Sequence, residues 1–147
     1  MEKIKRKVED IISQYKTAEP NEICEKMGII ILEQDLPESV NGFMLKLHDL
    51  KFIIINNNLN DCEKRVTTAH ELGHIVLHGD TNTVNLSYNT SFCVSKYERE
   101  ADGFAAYLLL YAEMSSFDGY ESVTSQDISK ITHIPQQTLD NLFFDEY

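Results

Sequence analysis

A chain of 147 residues with 42% hydrophobic and 25% charged side chains has the composition of a globular protein with one core, which excludes disordered and fibrous architectures. Its formal charge of -11, from 13 basic and 24 acidic residues spread along the sequence, argues against a nonspecific polyanion binder, because such proteins cluster Lys and Arg to neutralise phosphates. Three cysteines without a CxxC pair, no apolar run of membrane-span length and no signal-peptide core lead us to expect reduced thiols, a cytoplasmic location and no membrane partner.

Apolar spacing predicts a first helix from Glu2 to about Tyr15, with the basic cluster "KIKRK" on its solvated face, and a second from Pro20 and Asn21 to Gly28. "IIILEQ", "NGFMLKL" and "KFIIINN" are β-branched or aromatic runs parted by Pro37, Asn41-Gly42 and His48-Asp49. They suit a small antiparallel three-stranded sheet with a tight second hairpin, ending at Asn56. A buried helix then carries "TTAHELGHIVLH" and stops at Gly79. Residues Asp80 to Ser95 read as a long polar loop of the kind that borders a site. "YEREADGFAAYLLLYAEM" resumes a strong helix, and the tail holds two short helices with Ser or Thr caps, Pro135 opening the second.

The "TTAHELGHIVLHG" helix poses the chemical question. At about 100° per residue, His70, His74, Thr67, His78 and Glu71 fall within one wedge roughly 100° wide, while the other directions are apolar. Buried imidazoles need a partner. His-Glu-x-x-His places His70 and His74 one turn apart, where both can ligate one tetrahedral Zn²⁺, and sets Glu71 beside the open position as a proton acceptor for water. Such sites hydrolyse peptide bonds. His78 lies two turns from His70, about 12 Å along the axis, too far to share the ion. It reads as a residue that supports the ligands or lines the cleft, or otherwise as a histidine at a helix end.

The third ligand is expected in "YEREADGFAAYLLL". Glu98, Asp102, Ala105 and Leu109 follow one line of that helix, and the small Ala101 and Ala105 let another helix approach. Glu98 is preferred to Glu100, which lies about 200° around the wheel. Asp102, one turn on, is placed to accept the free N–H of a ligand histidine. For the oxyanion, His78, Tyr97 and Tyr107 are candidates that the sequence does not rank.

With "RVTTAHELGHIVLH" followed by "EREADGFAAYLLL", the chain resembles the ImmA/IrrE family of metallo-endopeptidases. The resemblance implies a zincin-like fold, zinc on His70, His74 and Glu98, and Glu71 as catalytic base. It further implies a protein substrate, a helix-turn-helix transcriptional repressor in a phage, mobile-element or stress-regulation setting. Where relatives commonly carry a proline after the Leu-Leu run, this chain reads Leu109-Leu110-Tyr111-Ala112.

The expected architecture is therefore a single α+β zincin-like domain over 1–147, with a catalytic part, 1–122, and a C-terminal helical pair, 123–147. The expected activity is zinc-dependent endopeptidase, one Zn²⁺ per chain. The alternative is a noncatalytic, metal-binding regulatory or toxin-like partner that sequesters a repressor. Direct nucleic-acid contact is not expected, since Lys130 is the only permanent positive charge between Ile128 and Leu142.

Overall fold

In the computed structural model, residues 1–79 and 91–144 are described, except for the side chains of 91–94. Two helices, α1 (Glu2–Tyr15) and α2 (Pro20–Met27), precede the strands β1 (Ile30–Gln34), β2 (Gly42–Leu47) and β3 (Leu50–Asn56). Then come α3 (Asp61–His78), α4 (Ser91–Ala112), a 3₁₀ turn (Met114–Phe117), α5 (Ser125–Thr132), α6 (Gln136–Leu139) and a final π turn (Asp140–Phe144). The α+β class is as the sequence implies. No helix among the described residues is long and apolar enough to cross a membrane.

The sheet corrects the antiparallel expectation. Its order is β1-β3-β2, with β2 antiparallel and β1 parallel to β3. The physical reason lies in β3, where Ile53, Ile54 and Ile55 are buried in succession; a strand apolar on both faces belongs in the centre. The β2–β3 hairpin turns through His48, which takes a left-handed φ of 54°, and β1 fills the remaining edge. Asn56, 2% exposed, pins the crossing segment by donating from Nδ2 to the carbonyls of Leu36, Pro37 and Val40 at 3.2, 3.2 and 2.9 Å.

α3 begins at a capping box: Asn60 Oδ1 accepts from the Glu63 backbone N–H and Glu63 accepts from that of Asn60, both at 2.9 Å. Thr124 and Asp127 start α5 in the same way. The second helix of the long pair, α4, starts at Ser91, inside the stretch read as loop, and the rest of that loop, 80–90, lies outside the described residues. It continues to Ala112, where Tyr111 donates its hydroxyl to Glu9 of α1.

Ala69, Leu72, Phe104 and Leu108 of α3 and α4 are fully buried together with Val8 and Ile23 of the first two helices. Arg65 ties this assembly at one end, gripping Glu19 with two nitrogens at 2.7 and 3.1 Å and Glu113 with a third at 2.8 Å. Cys24 and Cys62 are free thiols, Cys24 buried so deeply that its pKa is pushed up to about 12.

Asn56→Ala removes the common donor of three carbonyls in a buried setting, so it is expected to destabilise the fold by about 1–3 kcal/mol, read from the urea midpoint at unchanged slope.

Candidate metal centre

α3 and α4 pack so closely that a Cβ on Gly73 would lie 3.1 Å from the Ala101 carbonyl oxygen and 3.1 Å from Phe104 Cβ. This approach brings two imidazoles of α3 against two carboxylates of α4. His70 Nε2 lies 3.1 Å from His74 Nε2 and 3.1 Å from Glu98 Oε2, and His74 Nε2 lies 3.1 Å from Glu98 Oε1. One ligand atom from each of His70, His74 and Glu98 can be chosen so that all lie within 4.8 Å of one another. Asp102 Oδ1 sits 2.9 Å from His70 Nδ1. With the proton on Nδ1 donated to Asp102, the Nε2 lone pair of His70 faces the other two donors.

Three electron-rich groups converging on one point need protons or a cation between them. Two imidazole nitrogens and a carboxylate, with a cleft on their open side, form a donor set that suits Zn²⁺. The residues therefore fit a divalent metal. In the metal-free protein a proton takes that place. Burial would lower the His70 pKa, but hydrogen bonds with Asp102 and Glu98 and attraction to Glu71 raise it to about 10. The same contacts, from His70 first and His74 second, hold the Glu98 carboxyl well below the ordinary carboxylate range.

Glu71 stands apart from this triangle. Its carboxylate is buried beside β2, and burial raises its pKa against the pull of His70 and His74. Gly42 lets β2 come this near to α3, for a Cβ there would lie 2.8 Å from Thr67 Cγ2 and 2.7 Å from the Ile54 carbonyl oxygen.

His70, Glu71, His74, Glu98 and Asp102 all line a cleft of about 730 Å³. Gly42, Phe43 and Met44 of β2 form one wall, and His133, Ile134, Pro135 and Thr138 of the α5–α6 corner another. Tyr97 also borders the cleft.

His78 is placed elsewhere. Its ring lies 4.3 Å from that of Tyr97 and its Nε2 lies 3.3 Å from Glu100 Oε2, without the alignment of a hydrogen bond. Glu100 thus faces His78, away from the His70–His74–Glu98 triangle. Tyr107 packs its ring 5.2 Å from Phe143 and does not line the cleft. The contributions of β2 and of His133 escape sequence reasoning. His133 caps α5 with a left-handed φ of 62°, and no local pattern ties it to a helix some sixty residues earlier.

Comparison with known proteins places this geometry in a class. The profile of the IrrE N-terminal-like domain, a peptidase family, matches residues 24–129. "Uncharacterized immunity region protein 2" of Bacillus phage phi105 is 36% identical over 134 residues, which are 91% of this chain and 85% of the phage protein. "Metallopeptidase ImmA" of Bacillus subtilis (strain 168) is 36% identical over 113 residues, 76% of this chain and 65% of that protein. The chain belongs to the IrrE N-terminal-like family of metallopeptidases.

A protonated His70 stabilises the metal-free fold fully below its ordinary value of 6.5, and that contribution is lost as the pH rises to about 10. Chelator-treated protein is expected to melt at falling temperatures across this window, and bound zinc to raise the melting temperature most at its alkaline end. Calorimetry with and without chelator measures both.

Proposed function

We propose that this chain is a zinc-dependent endopeptidase, with one Zn²⁺ held by His70, His74 and Glu98 and with Glu71 as general base, that cleaves a helix-turn-helix transcriptional repressor in the cytoplasm. The observation that carries the reading is the convergence of His70, His74 and Glu98 on one side of a cleft, beside a separate buried carboxylate. Bound zinc supplies Lewis acidity that polarises the scissile carbonyl.

The chain's own residues do the rest. Glu71, buried at the cleft beside the two imidazoles, takes a proton from the attacking water and returns it to the leaving amine. Asp102 accepts the His70 Nδ1 proton and so fixes the ring's tautomer and direction. Of the three hydroxyl or imidazole candidates for the oxyanion, Tyr97 is the one that borders the cleft, and its hydroxyl is assigned that role. Among the described residues β2 is an edge strand along the cleft, so an extended substrate segment can pair with its outer backbone groups.

The whole chain, 1–147, works as one domain, in which 1–122 carry the chemistry and the helical pair of 123–147 shapes the cleft rather than reading nucleic acid. A repressor as substrate follows from the family resemblance. The acidic charge of -11 suits a basic, DNA-binding partner.

Glu71→Gln is expected to keep zinc and lower turnover by about 10²–10⁴-fold. Glu98→Gln is expected to weaken zinc binding strongly while Glu100→Gln leaves it unchanged. Intact-mass analysis of a helix-turn-helix repressor encoded beside this gene, incubated with zinc-loaded wild type or Glu71→Gln, tests the function. Two fragments whose masses sum to the repressor plus one water, with wild type alone, support it. An uncut repressor that binds both forms would establish a sequestering partner instead.

A further inference from the structure

The sheet has two unlike faces. On the inner one, Ile31, Met44, Ile53 and Ile55 join the core beneath α2 and α3. The outer one is read from the strand register. Ile30 and Leu32 of β1 stand beside Phe52 and Ile54 of β3. Across the hairpin, Phe43, Leu45 and Leu47 stand beside Ile54, Phe52 and Leu50. Paired residues share a face, so all eight of these side chains project outward, and all are apolar. Five on the flanking strands, together with Leu50 at the start of β3, are 38% to 52% exposed, and they shield Phe52 and Ile54 between them. Among the described residues, the sheet's substantial neighbours are α2 and α3, which cover the inner face.

We propose that this outer face, which meets the cleft at Phe43, is the surface on which two copies of the chain associate, a proposal that does not rest on the peptidase reading. Area, composition and the geometry of sheet stacking favour a second copy. The exposed apolar area is on the order of 500 Å², near the upper end for a monomer's largest patch and most of the roughly 800 Å² that each partner gives a standard interface.

Composition is the second. None of the eight positions is charged on a chain carrying -11, and a charge-free centre marks homodimers more than transient partners, whose surfaces must also serve in water. Lys46 and Lys51 pair with each other on the opposite side, as Glu33 does with Lys64, so apposing two outer faces brings none of these charges together. Third is geometry. Two copies related by a two-fold axis would stack their sheets about 10 Å apart with strands crossed by some 30°, closing each apolar face with its own likeness.

Sedimentation velocity of the zinc-loaded full chain, from low to high micromolar concentration, tests this. The wild type and Met114→Lys, a substitution at an equally exposed apolar site away from the sheet, are expected to sediment with twice the monomer mass. The double variant Leu45→Lys/Leu47→Lys is expected to be monomeric with an unchanged circular dichroism spectrum. A monomeric wild type across the range, or a double variant that stays dimeric, overturns the proposal. So does a monomeric wild type whose outer face captures the repressor, which would assign the face to that protein. Should the double variant not fold, hydrogen exchange on the wild type decides, since concentration-dependent protection of β1 and β2 is expected and its absence overturns the proposal.

Discussion

The separation of α3 and α4 at Gly73 governs everything at the centre. A hydrogen at that position lets the Ala101 carbonyl and Phe104 approach, and the same approach sets Glu98 and Asp102 beside the His70 ring on the neighbouring turn. A Cβ at Gly73 would require the Ala101 backbone or Phe104 to give by a few tenths of an ångström, so the close spacing of the site rests on a glycine here. The packing of Leu72, Phe104 and Leu108 around it is therefore both core and positioning device: apolar burial holds the polar cluster at its working spacing.

Electrostatics builds on that spacing in two opposite ways. At Glu98, imidazole hydrogen bonds outweigh burial and keep the carboxylate charged, as a ligand must be. At Glu71, burial outweighs the imidazoles and raises the pKa, which makes a more basic carboxylate. Two acids within one cleft thus acquire different characters from their surroundings, one from hydrogen-bonding partners and one from the loss of water.

Legibility in the sequence followed the range of the interaction. The α3 segment was readable because its signals are local: a cap at Asn60, a stop at Gly79, and polar residues recurring at the helical period within an apolar background. Glu98 and Asp102 were readable as one face of a second helix. The sheet order was not, because it turns on which strand is central, although the unbroken Ile53–Ile55 run is the mark of a two-sided strand. The start of α4 at Ser91 was hidden by Ser and Val residues that favour loops or strands. The cleft walls were invisible, since Met44 and His133 reach the centre only through tertiary packing.

One wall of that cleft, the α5–α6 corner with His133 and Pro135, contributes nothing to the convergence of His70, His74 and Glu98. Its shape is thus free to drift while the reactive groups stay fixed. A lineage that kept α3 and α4 and rewrote only this corner would inherit the chemistry intact and change what fits beside it, a separation of reactivity from selectivity built into the order of the chain.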